Sequence, residues 1–427
     1  MNNMSSYKRA YDPVDRIVLT CYVILVFWGI FSIFATEYNG TFSSETFSFK
    51  YSYMKQLLWA VVSGLMFFTI ISMDRMFIQF ISYPMYVFVC FLLLLVLFVG
   101  QKTKGDQNWI NLGFFKLQPT EFAKFATAMA LAKYFDTPNM RFVTPREHLI
   151  AYAIVGLPLL LVAAQGDAGS CLVFLSFIFV FNREGLSDVF IYLGLLAIGI
   201  AVLSLVVNKY IIIGICLAIG AILIYWNWLN KNMVKLIGII TISACILSAS
   251  VSLVFNNLLE KHQRDRINVI LGKEISKEAK RGIAFNLNQS KIAIGSGGIF
   301  GKGPLHGTQT RYNYVPETST DFIFSAVGEE FGFVGSIILI GLFVTMMQQL
   351  LILANRQRSA YGRVYIYSVV AIIFAHFTIN IGMTIGLLPV IGIPLPFMSY
   401  GGSSLISFSF MIATALKLDS ERRMTMR

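Results

Sequence analysis

Long apolar stretches separated by short polar segments dominate the hydrophobic pattern of the chain. A bilayer core is crossed by roughly 20 residues at the rise of an α-helix, so apolar stretches of about that length predict transmembrane helices. Such segments cover residues 17–36, 56–73, 83–100, 119–135, 149–164, 169–182, 189–207, 210–228, 235–255, 322–353, 362–387 and 403–417. The pattern therefore predicts an all-α polytopic membrane protein with about 12 transmembrane helices.

The tenth apolar segment, 322–353, is longer than a single crossing requires. It carries Gly328, Gly332 and Gly335 near its start. Glycine weakens a helix and permits backbone conformations that other residues avoid. We therefore expect a broken helix here, or two unequal helical pieces.

The composition supports a membrane protein. Of the 427 residues, 56% are hydrophobic and 13% are charged, whereas soluble domains carry about 25% charged residues. The five cysteines all lie in apolar segments and form no CxxC pair. This pattern predicts neither disulfides nor a zinc site.

The distribution of lysine and arginine predicts the orientation of the chain. With the N-terminus in the cytoplasm, the cytoplasmic segments hold 17 basic residues and the short outer loops hold 6. Short cytoplasmic loops are enriched in basic residues. We therefore expect both termini in the cytoplasm.

The segment 256–320 is predicted to be a large extracytoplasmic loop, too long for the charge rule to govern. It carries ten basic residues and five acidic residues. A basic outer surface favours an anionic partner. Lipid phosphate or an anionic lipid-linked substrate fits this location, and nucleic acid does not. A solvated loop with surplus lysines is an equally good interpretation of the charge alone.

The stretch "GDQNWINLGFFKLQPTEFAK", residues 105–124, is a polar loop that leads into the fourth apolar segment. Pro119 suits the first turn of a helix. Glu121 and Lys124 then lie three residues apart on one helix face. Ionisable groups inside a membrane span are costly and usually functional. The alternative is an interfacial ion pair with no role beyond neutralising itself.

Two further outward stretches carry weaker signals. "AQGDAGS", residues 164–170, contains Asp167, which is equally well explained as a helix cap. "SKIAIGSGGIFGKG", residues 290–303, is rich in glycine and contains Lys302, so its backbone could approach a ligand closely. It does not match a nucleotide P-loop. The alternative is a flexible re-entrant turn.

The stretch "PETSTDFIFSAVGEE", residues 316–330, places carboxylates at the start of the tenth apolar segment. Asp321 stands at the membrane boundary, where partial desolvation makes a carboxylate a stronger base. A helix N-cap is the alternative, but it explains Asp321 alone and leaves Glu329 and Glu330 unexplained. A last outward loop, 386–404, has three prolines and must be buried in protein or line a cavity.

Six stretches, in this order, resemble the signature blocks of the SEDS family, which includes RodA, FtsW and SpoVE. They are "NWINLGFFKLQPTEFAK", "QGDAGS", "QRDRI", "QSKIAIGSGGIFGKG", "VPETSTDFIFSAVGEEFGFVGS" and "LPVIGIPLPFMSYGGSS". The resemblance covers nearly the whole chain, as a single membrane domain. It is stronger to the elongation member of the family than to the division member.

The resemblance implies a peptidoglycan glycosyltransferase that polymerises lipid II at the outer face of the bacterial cytoplasmic membrane. It also implies a role in cell elongation and shape maintenance, beside a class B penicillin-binding protein that cross-links the peptides. The family usually has ten spans. The surplus here is a hairpin at 189–229, which we expect to be peripheral to the site.

The family's essential acid matches Asp321, which implies a general base acting on the acceptor hydroxyl, with inversion at the donor carbon. Trp109 matches the important tryptophan of the first outer loop. Basic side chains would stabilise the leaving pyrophosphate. The substrate-binding residues implied or inferred are Trp109, Gln118, Glu121, Lys124, Arg266, Lys302, Arg311 and Glu317.

No dedicated metal site is visible, and no cofactor is certain. A divalent cation, Mg²⁺ or Mn²⁺, that bridges the pyrophosphate near Glu121 or Glu317 stays open.

Two other functions compete with polymerisation. A lipid II flippase would bind the same lipid but needs polar groups reachable from both faces, whereas these candidates cluster outside. A scaffold would need no cluster of ionisable residues. A division-type polymerase is the nearest alternative within the family.

Overall fold

The computed structural model describes residues 14–38, 48–103, 106–111, 113, 116–138, 140, 142–253, 255, 257, 259, 261–312 and 314–422. Terminal basic residues used above to predict the orientation, among them Lys8, Arg9, Arg423 and Arg427, lie outside these ranges. The chain divides into two compact units. The first combines Met1–Glu184 with Ala284–Arg427, and the second is Gly185–Ile283.

The first unit is built from helices and one small sheet. Its helices are α1 (Arg16–Glu37), α2 (Ser52–Ser72), α3 (Arg75–Val99), α4 (Pro119–Phe135), α5 (Pro145–Ala164), α6 (Ala168–Leu175), α7 (Phe177–Arg183), α13 (Ile283–Gly297), α14 (Ile323–Asn355), α15 (Ala360–Ile385) and α16 (Gly402–Ser420). Its strands are β1 (Gln101–Thr103), β2 (Asp106–Asn111) and β3 (Lys116–Leu117).

The helices α4, α15 and α16 form the buried centre of the first unit. Most residues of each are buried, and α4 packs against α3, α5, α15 and α16. The alanines of α4 allow this close approach, and Phe125 lies edge-on to Tyr365 of α15 and to Phe410 of α16. Pro119 occupies the first turn of α4, as predicted.

The three short strands form an antiparallel sheet in the order β1-β2-β3, with Gln101 opposite Trp109 and Ile110 opposite Leu117. The sequence pattern predicted a polar loop here, so the sheet is an addition to the all-α prediction. The backbone N–H of Gln107 donates to the carbonyl of Gln165 at 2.9 Å. This bond ties the sheet to the turn before α6.

The helix α14 is broken at Gly332, where φ is 66° and ψ is −157°. The glycine-rich segment pairs with the break: Phe333 N–H donates to Gly298 O at 2.9 Å, and Lys302 N–H donates to Glu329 O at 3.0 Å. A Cβ on Gly301 would lie 2.1 Å from Glu330 O. The expected broken helix is confirmed. Gly297 and Gly301 of this segment pack against the backbone of α14, whereas Gly295 and Gly298 face open space. The approach of this segment to a ligand stays a prediction.

Nine helices in the described part of the chain are long and apolar enough to cross a membrane. All twelve expected segments coincide with helices, but α4, the pair α6–α7 and α16 are outside the nine. The sixth segment is two short helices that meet at Ser176. A polytopic helical membrane protein is confirmed, whereas the count of twelve spans is not.

The second unit contains α8 (Val189–Val206), α9 (Lys209–Trp226), α10 (Lys231–Leu253), α11 (Lys261–Leu271) and α12 (Lys277–Arg281). The helices α8 and α9 make the predicted hairpin, and both pack chiefly on α10. Gly220 lets α9 approach α10, because a Cβ there would lie 2.4 Å from Thr241 Oγ1. The peripheral placement of the hairpin stays a prediction.

Candidate functional site

Asp321 ends a short turn that is held by its backbone. Three consecutive carbonyls accept hydrogen bonds from the C-terminal part of the chain: Ser319 O from Tyr400 N at 2.7 Å, Thr320 O from Ser399 Oγ at 2.6 Å, and Asp321 O from Asn380 Nδ2 at 2.9 Å. These bonds fix the chain just before α14. The half-buried Asp321 is therefore carried by a preorganised main chain rather than by a free loop.

The side chain of Asp321 faces the segment 386–401. Its Oδ2 lies 3.4 Å from the position that a Cβ would take on Gly392, where φ is 81°. Any larger residue at 392 would therefore touch the carboxylate and would also be strained. Leu395, Phe397, Met398 and Ser399 of this segment are buried. The part from Leu395 to Ser399 is thus buried in protein, one of the two outcomes expected for this loop, whereas Leu387 and Gly392 are exposed.

Glu317 contributes to the turn through its main chain. It adopts φ of 61°, a conformation uncommon for residues other than glycine. Its carbonyl accepts hydrogen bonds from the backbone N–H groups of Thr320 at 3.1 Å and Phe322 at 3.3 Å. The turn that presents Asp321 is thus closed by Glu317, whose side chain is half-buried.

Glu121 and Lys124 form a buried ion pair. Lys124 Nζ donates to Glu121 Oε1 at 2.7 Å, and the exposed fractions of the two side chains are 0% and 1%. Lys124 Nζ also lies 2.7 Å from Nε2 of His376 on α15. The sequence predicted the pairing of these charges. In this conformation neither side chain reaches solvent, so their contact with substrate stays a prediction.

The protonation of His376 follows from its neighbours. Its Nδ1 lies 3.0 Å from the carbonyl oxygen of Pro394, which can only accept a hydrogen bond. Its Nε2 faces the Lys124 ammonium, which can only donate. His376 is therefore a neutral imidazole with its proton on Nδ1. It links the ion pair to the segment 386–401.

Glu329 anchors the loop 302–310. Its carboxylate accepts hydrogen bonds from the backbone N–H groups of Thr308 (2.8 Å), Gln309 (2.8 Å) and Thr310 (2.9 Å), and from Lys302 Nζ at 2.6 Å. Lys302 also donates to Thr308 Oγ1 at 2.7 Å. The charge of Lys302 is thus balanced by a buried carboxylate beside it.

Glu330 behaves differently from its neighbour. It is 1% exposed, and neither carboxylate oxygen has a hydrogen-bond partner among the described residues. Burial without partners is costly for a carboxylate. Polar partners therefore hold the carboxylate of Glu329 and not that of Glu330.

Arg311 is half-buried and lies between two tyrosines, 5.3 Å from the ring centroid of Tyr38 and 5.8 Å from that of Tyr312. Its Nε donates to the carbonyl of Tyr38 at 2.7 Å, at the end of α1. Within the described ranges, no carboxylate lies at ion-pair distance from Arg311. Its charge is therefore less compensated than that of Lys302.

The other predicted residues lie on or beside separate helices and strands. Trp109 is half-buried on β2, and Gln118 precedes α4, where its N–H donates to Ser403 Oγ at 3.3 Å. Arg266 lies on α11 of the second unit. Asp167 caps α6 by accepting from Ser170 N and Oγ, each at 2.9 Å, and accepts from Asn108 Nδ2 at 3.0 Å. The helix-cap interpretation of Asp167 is therefore confirmed.

No group of three or more His, Cys, Asp or Glu side chains that could hold a metal ion is found among the described residues. Glu121 is paired with Lys124 and is buried. The bridging divalent cation therefore stays a hypothesis.

Sequence reasoning missed three buried polar residues: Gln56, His376 and Asn380. Gln56 of α2 accepts from Gly401 N at 3.1 Å and donates to Ser399 O at 3.3 Å. Each is a buried polar side chain in a mostly apolar helix. That is a signal of function in membrane proteins, and it could have identified them.

Comparison with known proteins finds relatives that match most of this chain. A family model described as "Cell cycle protein", FTSW_RODA_SPOVE, matches residues 15–212 and 182–424. The chain is 34% identical to "Peptidoglycan glycosyltransferase MrdB" of Escherichia coli (strain K12) over 344 residues, which is 80% of this chain and 78% of the relative. It is 31% identical to "Peptidoglycan glycosyltransferase RodA" of Treponema pallidum (strain Nichols), over 97% of this chain and 99% of the relative.

Solved structures share the fold. A chain from "Structural coordination of polymerization and crosslinking by a peptidoglycan synthase complex" has a TM-score of 0.67 at 22% identity, over 97% of this chain and 99% of the other. The Thermus thermophilus rod shape determining protein RodA has a TM-score of 0.60 at 21% identity, over 96% and 97%. From the family match and the two relatives, the chain belongs to the FtsW/RodA/SpoVE family of cell cycle proteins.

Proposed function

We propose that the protein is a peptidoglycan glycosyltransferase that polymerises lipid II into glycan strands during cell elongation. The observation that carries this proposal is the similarity, over most of the chain, to two relatives named peptidoglycan glycosyltransferases, MrdB and RodA. The preorganised turn around Asp321 supports it, because a glycosyl transfer needs a base held in a fixed position.

In this proposal Asp321 is the general base. Its carboxylate takes the proton from the acceptor sugar hydroxyl as that oxygen attacks the anomeric carbon of the donor. The bond between the anomeric carbon and the phosphate oxygen breaks, and the lipid pyrophosphate leaves with the bonding electrons. A single displacement inverts the α-linked donor to a β-linked glycan. The carboxylate lies beside Gly392, where any side chain would touch it.

Arg311 is the strongest candidate to stabilise the leaving pyrophosphate. Its charge has no carboxylate partner in the described part of the chain, and a guanidinium binds phosphate oxygens with two N–H groups. Lys302 is a weaker candidate, because Glu329 lies 2.6 Å from its ammonium. Lys124 is buried beside Glu121 and is linked through His376 to the segment 386–401, and its contact with the substrate stays a prediction.

The remaining residues take supporting roles. Trp109 would stack on a sugar face, with Gln118 and Arg266 completing the substrate contacts. Glu317 would shape the turn before Asp321 and, with Glu121, is the candidate to approach a divalent cation. Both termini would lie in the cytoplasm and the segment 256–320 outside, as the charge bias indicates. A class B penicillin-binding protein is the partner we propose, because one solved neighbour belongs to a peptidoglycan synthase complex.

The test is polymerisation of lipid II by the purified full-length chain, with and without its cognate transpeptidase. We expect glycan strands longer than the disaccharide when the partner is present. If neither sample makes strands, while vesicles containing the protein move lipid II between leaflets, the protein is a flippase and the proposal is wrong.

A further inference from the structure

A row of buried polar side chains runs along α15 towards the turn of Asp321. His376, Asn380 and Thr384 lie at intervals of four residues, on one face of the helix. Each is at most 1% exposed. Lone polar groups in an apolar helix are costly unless they are paired, so the partners of each indicate what it does.

Asn380 bonds two segments that are distant in the sequence. Its Nδ2 donates to the carbonyl of Asp321 at 2.9 Å and to the carbonyl of Ile393 at 2.7 Å. Both acceptors are carbonyl oxygens, so the amide nitrogen must be the atom that faces them. The two N–H groups of one amide are thereby used on two different backbones. No other residue type of this size supplies two such donors without a charge.

The two bonds of Asn380 set the spacing between the two sides of the site. One side is the main chain of Asp321. The other is the segment 386–401, whose Gly392 directly precedes Ile393 and adjoins the Asp321 carboxylate. One turn earlier on α15, His376 holds the next carbonyl, that of Pro394. The position of the carboxylate relative to the facing wall therefore depends on α15.

We propose that Asn380 is a positioning residue that holds the Asp321 carboxylate in register with the segment 386–401. This inference rests on the proposed role of Asp321 as the base. Asn380 does not touch the reacting atoms. Its amide fixes the backbone on both sides of them, so that loss of the two bonds lets the carboxylate shift relative to the acceptor hydroxyl.

The test compares Asn380→Leu with Thr384→Val in the full-length protein with its transpeptidase. Asn380→Leu removes both donors and keeps a similar volume. Thr384→Val removes a buried hydroxyl one turn away, whose only hydrogen bond among the described residues is to the carbonyl of Asn380 in its own helix, at 2.6 Å. The measurements are the thermal unfolding midpoint and the separate kcat and KM for lipid II, on equal amounts of folded protein. If Asn380→Leu does not accumulate, Asn380→Ala replaces it.

We expect the Asn380 variant to lose kcat by about 100-fold, the cost of a misplacement of roughly 1 Å, with little change in KM. Thr384→Val should keep its kcat at a similar unfolding midpoint. Equal loss of kcat in both variants, or a normal kcat for Asn380→Leu, would overturn the positioning role. Asp321→Asn measured beside them separates the two claims. If it stays active, the base assignment fails. If Asp321→Asn is inactive and Asn380→Leu keeps normal activity, only the positioning claim fails.

Discussion

The central helices of the first unit bury polar side chains within the protein, whereas the helices α8 and α9 of the second unit expose large apolar side chains. In α15, 67% of the most apolar stretch is buried within the protein, against 6% in α10. Buried α4 and α15 hold Glu121, Lys124, His376 and Asn380. By contrast, α8 and α9 expose many large apolar side chains, among them Phe190, Ile198, Leu217 and Ile222.

This difference has a physical cause. A helix face that meets lipid must be apolar, because hydrocarbon cannot hydrogen-bond to it. A helix face buried in protein can carry ions and amides if other side chains or backbone carbonyls pair with them. The buried helices α4 and α15 can therefore carry ionisable and amide side chains, whereas the exposed faces of α8 and α9 are apolar.

The largest expected effect on stability comes from breaking the buried ion pair. Lys124→Met leaves the Glu121 carboxylate buried without its ammonium, which should cost about 3–5 kcal/mol of unfolding free energy. The same substitution at exposed Lys231, at the start of α10, should change it by less than about 0.5 kcal/mol. Unfolding in a mixed detergent titration measures both.

A second substitution separates charge from packing at this pair. Adding Glu121→Gln to Lys124→Met removes the unpaired charge and should restore much of the lost stability. If the double variant is no more stable than Lys124→Met alone, the loss arises from packing, and the contrast between the two regions is not electrostatic.

A smaller effect should distinguish two neighbouring glutamates. Glu329→Gln removes the charge that holds Lys302 and one of the two acceptor oxygens, worth about 1.5–3 kcal/mol per charged hydrogen bond. The amides of Thr308, Gln309 and Thr310 should then exchange hydrogen faster. Glu330→Gln should leave their exchange unchanged, because the Glu330 carboxylate has no hydrogen-bond partner in the described ranges. If Glu329→Gln and Glu330→Gln accelerate this hydrogen exchange equally, then burial, and not hydrogen bonding to Glu329, holds the loop 302–310.

The smallest effect is expected in the second unit. Ser204 Oγ donates to Ser248 Oγ between α8 and α10 at 2.9 Å, and hydrogen bonds between membrane helices contribute about 0.6 kcal/mol on average. Ser204→Ala should therefore be nearly neutral in the same unfolding titration. Ser399→Ala should cost about 1–3 kcal/mol, because it leaves the buried Leu395 N and the half-buried Thr320 O without this partner. If Ser204→Ala and Ser399→Ala lower the unfolding free energy equally, the two regions do not differ in how much their polar groups stabilise them.

Much of the fold could be predicted from the sequence, because each apolar segment and its ends are local features. The break of α14 followed from its glycines, and the pairing of Glu121 with Lys124 followed from their spacing of three residues. The sheet in 101–117 was missed, because its strands are short and polar and alternation is weak over so few residues.

The arrangement of the site was less predictable, because its bonds join distant residues. Asn380 is 59 positions from Asp321, His376 is 252 from Lys124, and Gln56 is 343 from Ser399. Periodicity along a helix reports which residues share a face, but it does not report which segment packs against that face. Gly297 and Gly301 illustrate the same limit. Their small size was evident, whereas the backbone that they accommodate was not.

The most direct test of the central claim is the initial rate of glycan polymerisation by Asp321→Asn. The variant keeps the shape of the side chain and should fold normally, and its matched control is Asp188→Asn at an exposed aspartate before α8. Equal amounts of folded protein are assayed with lipid II and the transpeptidase. We predict that Asp321→Asn loses about 10²–10⁴-fold in rate, the contribution of a general base, and that Asp188→Asn keeps the rate of the unchanged protein. A rate for Asp321→Asn close to that of the control would contradict the assignment of Asp321 as the catalytic base.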